Sequence, residues 1–546
     1  MRVTSWAMSQ DELASASRAV TAAQGAIATA AAWLAGAGDI DLNQQVAYDL
    51  AHAASAIRVA QSMLAYGAYG DQEARTSCVF VAEALADIQS RVFAREGLWG
   101  LSSGWLDPAL DFLRVWRDPQ VQASLAQVDA GRHLDADFEM VRETFHRFAE
   151  ERVKPYAEDV HRQNSDVPEE VIARLAELGG FGLSIPEEHG GLASGEESDF
   201  LGMVIATEEL SWASLGIGGS LITRPEILAR ALLKGGTPEQ KRSWLPRLAS
   251  GDVMAAVAVT EPDFGSDVAS LTTTASPAGQ GWVVNGVKTW CTFAARADVL
   301  MLLARTDPDR TKAHRGLSLL LVPKPRANGH SFSFVQAEDD LEGHANGGSP
   351  GKMEGRAIDT IGYRGMHSYE VSFDNWWVSN DCLIGGEQGL GKGFYYQMQG
   401  FENGRLQTAA RALGVMQAAY EAALSYSRDR IVFGRPTADY QLTQVKLARM
   451  AVTVQAVRQF SYEVARLMAK GQGALEASMV KAYACRAAEW VTREAMQVHG
   501  GMGYAEEMPV SRYFVDARVL SIFEGADETL ALKVIARRLA EDAANS

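Results

Sequence analysis

Residues 257–306 carry the most informative pattern of the chain, and they read VAVTEPDFGSDVASLTTTASPAGQGWVVNGVKTWCTFAARADVLMLLART. Residues 260–267 within it are rich in hydroxyl groups and in residues that end helices and strands, which predicts a turn. Alternating β-forming residues then occupy 281–284 and 287–292, on either side of Asn285-Gly286. An Asn-Gly pair in this setting predicts a β-hairpin.

The second predicted strand carries Trp290 and Thr292 two positions apart. Alternation places such residues on one face of a strand. An aromatic ring and a hydroxyl on one face can pack against a flat heteroaromatic cofactor and hydrogen-bond to it. An ordinary half-buried strand has the same periodicity, so the pattern alone leaves both interpretations open.

The composition excludes several classes of protein. A length of 546 residues predicts three or four domains, since a domain has about 100–200 residues. The net charge of −17 argues against nucleic acid or an anionic membrane as the main partner. No apolar run reaches the ~18 residues of a membrane span, and the N-terminus does not resemble a signal peptide. The four cysteines, Cys78, Cys291, Cys382 and Cys485, are scattered along the chain. This spacing favours a cytoplasmic location and predicts neither a disulfide framework nor a metal site.

The order of segments predicts an α+β multidomain protein. Residues 1–130 form a helical extension, 131–253 a second helical domain, 254–385 a β domain and 386–546 a helical bundle. Because helices and strands are segregated, the pattern is not that of a doubly wound α/β fold. Residues 338–356 are polar and glycine-rich, which predicts an exposed insertion in the β domain.

Three further patches carry residue types suited to catalysis or binding. Glu524 lies in an apolar run, where a carboxylate can serve as a general base. Alternatively, Asp527 caps the last helix and Glu524 is merely adjacent to it. The planar guanidinium of Arg430 could bind a pyrophosphate or make an ordinary salt bridge. Backbone amides at Gly500-Gly501 could approach a phosphate closely, or these glycines could simply end a helix.

In this order, the motifs resemble those of the acyl-CoA dehydrogenase family over about residues 136–546. The resemblance implies a helical domain, a middle β-barrel-like domain and a C-terminal four-helix bundle, here preceded by an extra N-terminal helical domain. It also implies FAD as the cofactor, bound between the β domain and the bundle, with a neighbouring subunit completing the site.

The resemblance implies a role for each matching residue. Glu524 matches the catalytic base, and Arg405 matches an arginine that helps to place the CoA portion of the substrate. Ser266 lies in the loop that contacts both substrate and cofactor. Ala526 departs from the family pattern, in which many members have a threonine two residues after the base. The residues that match cofactor contacts are Thr260, Ser266, Trp290, Thr292, Arg430, Phe433, Gln441, Gln497, Gly500 and Gly501.

The implied reaction removes two hydrogens from an acyl-CoA thioester. Glu524 takes the α-proton, the β-hydride passes to flavin N5, and an electron-transferring flavoprotein receives the electrons. In the family, the backbone N–H of the base and a ribityl hydroxyl of the flavin stabilise the enolate charge.

The extension and the polar insertion narrow the range of expected substrates. They resemble those of bacterial family members that act on (2S)-methylsuccinyl-CoA in the ethylmalonyl-CoA pathway and form mesaconyl-CoA. A dicarboxylic acyl group calls for a cation, and Arg224 lies in the region that lines the acyl pocket in the family. The alternative is that Arg224 is a surface or salt-bridged arginine.

Other functions and assemblies stay open at this point. The chain could be a short- or branched-chain acyl-CoA dehydrogenase, an acyl-CoA oxidase or, in a different class, a non-catalytic helical assembly protein. The family commonly forms tetramers. An extra helical domain could cover the second dimer interface, which predicts a homodimer.

Overall fold

A computed structural model describes residues 10–127, 131–195, 197–337 and 350–545. Most of the predicted insertion, 338–349, lies outside these ranges. The chain divides into two compact units. The first consists of Met1–Glu143 and Arg405–Ser546, and the second of Thr144–Gly404.

The first unit is mainly helical. Its N-terminal part confirms the predicted helical extension, and α2 of that extension packs directly on α13 and α14 of the C-terminal part. Alanines on α2, including Ala47, Ala51 and Ala54, are buried and let the helices approach closely. The helices are α1 (Gln10–Gly36), α2 (Gln44–Gly67), α3 (Asp71–Val92), α4 (Leu110–Trp116), α5 (Pro119–Ala123), α12 (Gly393–Asp429, from Arg405 onward), α13 (Gln441–Ala469), α14 (Ala474–Val498), α15 (Pro509–Leu520), α16 (Asp527–Thr529) and α17 (Arg537–Ala544).

Two helices of this unit bear on the sequence-based expectations. Helix α15 lies within the predicted helical bundle, and Pro509 in its first turn is a typical helix start. Among the described helices, Asp11–Gly36 is long and apolar enough to cross a membrane by length and composition, and 39% of its most apolar window is buried. It packs against α2, α3 and α17, and a core helix passes the same test.

The second unit begins with helices and continues into a sheet. Its helices are α6 (Ala136–Phe148, from Thr144 onward), α7 (Lys154–Gln163), α8 (Glu169–Glu177), α9 (Glu197–Ala213), α10 (Thr223–Gly235) and α11 (Pro238–Ala249). A π-helical segment, Ala149–Val153, connects α6 to α7, and Pro155 lies in the first turn of α7, a position where proline is tolerated.

Within the described residues, the sheet has eight strands in the order β1-β4-β2-β3-β8-β7-β6, with β5 paired to β4. Strand β1 pairs with β4 in parallel, and β5 pairs with β4 antiparallel. The strands are β1 (Ala255–Ala258), β2 (Thr274–Ala278), β3 (Gly281–Thr292), β4 (Val299–Arg305), β5 (Leu317–Pro323), β6 (Ser331–Val335), β7 (Lys352–Ile358) and β8 (Ser368–Ser379).

Strand β4 is buried on both faces and separates two hydrophobic clusters. Leu300 and Leu302 point into the core formed by the strands themselves. Met301 and Leu303 point to the other side, where they pack with buried residues of α10 and α11 such as Leu228. The sheet is therefore anchored to the helices that precede it in the chain.

The predicted hairpin at Asn285-Gly286 was wrong. Strand β3 continues through both residues and pairs with β8 along its length, with a register shift between Val284 and Gly286. Asn285 Oδ1 accepts a hydrogen bond from the backbone N–H of Asn375 at 2.8 Å. A Cβ at Gly286 would lie 2.5 Å from Thr273 Oγ1, and its φ is +145°. The pair therefore forms a bulge in a continuous strand rather than a turn.

The predicted C-terminal limit of the insertion, residue 356, was also wrong. Residues Lys352–Ile358 form β7, which pairs with β6 on one side and β8 on the other. Lys352, Glu354 and Arg356 are exposed, whereas Met353 and Gly355 between them are buried. The polar residues that suggested a loop are the solvent face of a strand.

Candidate functional site

A bulge at the end of β3 presents Trp290 to solvent. The register against β8 shifts between Lys288 and Cys291, and Trp290 adopts a left-handed φ of +58° with 54% of its surface exposed. Thr292 is buried, and its hydroxyl lies 3.0 Å from that of Ser368. The expectation that Trp290 and Thr292 share one face assumed unbroken alternation, which this bulge interrupts.

A buried ion pair fixes the loop that contains Thr260. The backbone N–H of Thr289, on β3, donates to the carbonyl of Thr260 at 2.8 Å. The next residue, Glu261, accepts a hydrogen bond from the Lys288 ammonium at 2.9 Å and others from Thr272 at 2.6 and 2.8 Å. Burial alone would raise the pKa of Glu261, but Lys288 and Thr272 outweigh it and lower that pKa to about 2. Ser266 lies exposed at the far side of this loop.

Glu261 and Lys288 are not among the residues predicted from sequence. Their signal was present, because a lysine in the middle of a β-strand with apolar neighbours is buried only with a partner. Together they connect the loop at Thr260 to the strand that carries Trp290 and Thr292.

A short ribbon between α12 and α13 carries the predicted Arg430 and Phe433. Strands β9 (Ile431–Val432) and β10 (Arg435–Pro436) pair antiparallel, and the turn between them exposes 95% of Phe433 at a φ of +50°. The carbonyl of Arg430 accepts a hydrogen bond from the N–H of Thr437 at 2.8 Å. Gln441 is exposed at the start of α13.

The predicted glycine pair follows the end of α14. Gly500 has a φ of +59°, and no described atom lies within 4 Å of a Cβ built at Gly500 or Gly501. His499 is buried, stacks on Tyr426 at 4.3 Å and lies 2.8 Å from the carbonyl of Ala495 through its Nδ1. Gln497 is exposed one turn earlier. The backbone at the glycines is therefore accessible, and the end of the helix beneath it is fixed.

Glu524 lies on a tight loop between α15 and α16. Its φ of +53° is left-handed, an uncommon and strained conformation for glutamate. The Lys481 ammonium, on α14, donates to the carbonyl of Gly525 at 2.6 Å, and the N–H of Asp527 donates to the carbonyl of Ser521 at 3.0 Å. The loop is therefore held from both its middle and its end.

Two expectations about this loop can be compared with the structure. Asp527 was one candidate for a helix cap, but Ala526 occupies the N-cap position of α16, and the Asp527 side chain accepts a hydrogen bond from Tyr48 at 2.6 Å. Arg405 donates to the hydroxyl of Ser478 at 3.1 Å, one turn of α14 before Lys481.

Burial lowers the pKa of Lys481, and the nearby carboxylate of Glu524 opposes that shift.

Arg224 is buried in the first turn of α10. Its Nη2 donates to the hydroxyl of Tyr363 at 3.4 Å. Of the two alternatives for Arg224, an exposed surface residue is therefore wrong, and a salt-bridged arginine stays open. Guanidinium groups are rarely buried without hydrogen-bonding or anionic partners, so its burial calls for a polar environment.

The order of helical, β and helical segments agrees with three sequence models that match consecutive parts of the chain. They describe the N-terminal domain (residues 135–252), the middle domain (256–376) and the C-terminal domain (391–540) of acyl-CoA dehydrogenases. The chain therefore belongs to the acyl-CoA dehydrogenase family and is an oxidoreductase that acts on acyl-CoA.

Three individual proteins and structures are similar to this chain over most of its length. The chain is 41% identical to (2S)-methylsuccinyl-CoA dehydrogenase of Cereibacter sphaeroides over 87% of this chain and 85% of that protein. It is similar to the glutaryl-coenzyme A dehydrogenase–glutaryl-CoA complex, with a TM-score of 0.66, 28% identity and coverage of 76% of this chain and 98% of the other. A structure of an electron transferring flavoprotein of Acidaminococcus fermentans matches with a TM-score of 0.65 and 28% identity, over 76% of this chain and 98% of the other.

Proposed function

We propose that this protein is an FAD-dependent dehydrogenase that oxidises (2S)-methylsuccinyl-CoA to mesaconyl-CoA, with Glu524 as the base. The observation that carries the catalytic part is the strained, doubly anchored loop that presents Glu524. Its relative from C. sphaeroides, which shares 41% identity, favours this substrate. The domain limits expected from sequence, 1–130, 131–253, 254–385 and 386–546, are part of the same proposal.

The residues expected to bind FAD have properties that fit a flavin dinucleotide. Trp290 and Phe433 are large exposed aromatic residues, which suits contact with a flat ring system. Gly500 and Gly501 leave open space above their backbone, which suits close approach of a pyrophosphate. Arg430 is exposed and supplies a planar set of donors for the same group.

The remaining members of this proposed set are Thr260, Ser266, Thr292, Gln441 and Gln497. The backbone of Thr260 is anchored to β3 through its carbonyl, and the hydroxyl of Thr292 is positioned by that of Ser368. When bound, FAD supplies the acceptor for the β-hydride.

The protein's own residues perform the proton chemistry. The carboxylate of Glu524 accepts the α-proton of the thioester, and its backbone N–H donates to the thioester carbonyl as negative charge develops there. Arg405, fixed by Ser478, positions the CoA portion of the substrate, and Ser266 contacts the substrate from the Thr260 loop. Arg224 pairs with the distal carboxylate of the acyl group.

The decisive experiment is an anaerobic panel of acyl-CoA esters that compares methylsuccinyl-, isobutyryl-, butyryl- and glutaryl-CoA. We expect methylsuccinyl-CoA to bleach the flavin absorbance fastest, and the Glu524→Gln variant to retain its yellow colour while losing bleaching at least about 10³-fold. Equal or faster bleaching by the monocarboxylic esters would contradict the assignment of methylsuccinyl-CoA as the substrate. The protein would then be a short- or branched-chain acyl-CoA dehydrogenase.

The electron acceptor is the second part of the proposal. We propose that an electron-transferring flavoprotein reoxidises the reduced enzyme in the cytoplasm. The similarity to a structure of an electron transferring flavoprotein supports this partner. Admission of air after anaerobic reduction distinguishes the alternative, because an acyl-CoA oxidase would recover its yellow colour with O2 alone.

A further inference from the structure

The N-terminal extension contacts the loop of the proposed catalytic base. Tyr48 and His52 are one turn apart on α2, and both reach the same carboxylate oxygen of Asp527. The Tyr48 hydroxyl donates to Asp527 Oδ2 at 2.6 Å, and His52 Nε2 lies 3.3 Å from the same atom. Asp527 is three residues after Glu524, so these contacts connect the extension to the end of the base loop.

The contact lies in a protected environment. The Asp527 side chain is only 11% exposed, and a buried carboxylate is costly unless polar groups surround it. Arg486, on α14, donates to the Tyr48 hydroxyl at 3.0 Å and lies 3.9 Å from Asp527. Tyr48 is therefore held between a cation and an anion, and the extension contributes two of the groups around the carboxylate.

The protonation states suit a hydrogen bond from Tyr48 to Asp527 with His52 close beside it. Burial and the bond to Asp527 raise the pKa of Tyr48 to about 12, so its hydroxyl keeps its proton. Burial lowers the pKa of His52, which favours the neutral imidazole at neutral pH. Burial would raise the pKa of Asp527, but the contacts with His52 and Tyr48 reverse this and hold it below its usual range. The carboxylate therefore stays ionised and accepts.

The loop needs such an anchor. Glu524 has a left-handed backbone, and strained residues keep their conformation only where the surroundings over-determine it. Lys481 holds the carbonyl of Gly525, immediately after Glu524. The N–H of Asp527 closes the loop onto Ser521, and the Asp527 side chain is the group that the extension holds.

We infer that helix α2 of the extension is a positioning element for the base loop, with Tyr48 and His52 holding Glu524 in place through Asp527. This inference rests on the proposed role of Glu524. It assigns the extension a function in catalysis beyond covering the helical bundle. Tyr48, His52 and Asp527 are positioning residues, since they act on the reacting carboxylate through the backbone between Glu524 and Asp527.

Tyr48→Phe tests the inference in the FAD-loaded full-length protein with methylsuccinyl-CoA. The variant removes the hydroxyl and leaves the ring. We expect kcat to fall about tenfold with KM unchanged, because a misplaced base slows the proton-transfer step more than binding. We also expect a larger kinetic isotope effect with α-deuterated substrate, which a loss of stability alone would not produce.

Tyr66→Phe is the matched control. Tyr66 is on the same helix, and its hydroxyl donates to the carbonyl of Gly131 at 3.0 Å, away from the base loop. Its removal should cost stability and leave kcat and the isotope effect unchanged. Asp527→Asn keeps an acceptor for Tyr48 and should retain more activity than Asp527→Ala.

Hydrogen–deuterium exchange gives a readout besides activity. Tyr48→Phe should speed exchange of amides in residues 521–528, and Tyr66→Phe should not. Wild-type kcat, isotope effect and exchange in Tyr48→Phe would overturn the inference. If no acyl-CoA ester bleached the flavin of the wild-type protein, the proposed function would be refuted. Amide exchange in Tyr48→Phe would then still decide whether α2 anchors the loop.

Discussion

Arg224 shows how burial changes the interpretation of a single side chain. In the sequence it is one arginine before a proline, and an exposed residue explains it equally well. In the structure it is buried at the start of α10, with Tyr363 as one hydrogen-bond partner. A buried guanidinium at the helical region expected to line the acyl pocket is suited to pair with a substrate carboxylate.

Arg224→Met should therefore change substrate preference. The substitution keeps an unbranched side chain and removes the charge. We expect kcat/KM for methylsuccinyl-CoA to fall about 10- to 100-fold, since a hydrogen bond to a charged group contributes about 1.5–3 kcal/mol. Butyryl-CoA has no distal carboxylate, so its kcat/KM should change little. Steady-state kinetics with both esters measure the ratio.

Arg230→Met is the control for Arg224→Met. Arg230 lies on the same helix, with its guanidinium 3.5 Å from Glu226 and over the ring of Phe200 at 4.9 Å. Its removal should leave the ratio of the two kcat/KM values unchanged. A ratio that stays at the wild-type value in Arg224→Met would refute the proposed carboxylate pairing.

At the scale of elements, strand β3 shows what local sequence could and could not predict. Its β character followed from alternation, and the long helices followed from apolar spacing. The bulges at Gly286 and Trp290 depend on β8 and Thr273, which are distant in sequence. Local propensity favours a turn at Asn-Gly, but pairing with a neighbouring strand decided the conformation.

The residues of the candidate site also fall into two groups, those recognisable from local sequence and those that are not. Glu524, Trp290 and the glycine pair were recognisable because their motifs are local. Lys481, Asp527 and Tyr48 were not, because their roles arise when α2, α14 and the base loop pack together. A lysine in a helix or a tyrosine in an alanine-rich segment carries no local sign of such a contact.

The Glu261–Lys288 pair gives a prediction at this scale, since it ties the Thr260 loop to β3. Glu261→Gln should lower the free energy of unfolding by about 3–5 kcal/mol at pH 7, because it leaves the Lys288 ammonium buried without its counter-charge. Urea unfolding measures the loss. Glu239→Gln is the control, since Glu239 pairs with Arg242 on the surface and its substitution should change stability much less than Glu261→Gln.

The same pair predicts a dependence on pH. The pKa of Glu261 is lowered from 4.5 to about 2, so its ionised form stabilises the folded state above pH 4.5. That contribution is lost as the pH falls from 4.5 towards 2. The advantage of wild type over Glu261→Gln should therefore be constant from pH 7 to 5 and shrink below pH 4.5. An advantage that grows on acidification would contradict the assigned pKa.

In the larger architecture, the N-terminal extension covers part of the C-terminal helices. Helix α2 lies on α13 and α14, and buried residues such as Leu50, Ala54 and Ile57 line its packed side. Surface that is already covered within one chain cannot also form an interface with another subunit. The resemblance to the family implies a tetramer, and a covered second dimer interface is the physical basis for predicting a homodimer instead.

We therefore propose that two 59.0 kDa chains form the assembly in solution. Multi-angle light scattering of the FAD-loaded protein should give a mass of two chains, independent of concentration over the micromolar range. Deleting residues 1–130 should expose the apolar face of α13 and α14, and the shortened chain should form larger species or aggregate. A full-length protein with the mass of four chains would contradict the proposal, because the extension would then leave the second interface accessible.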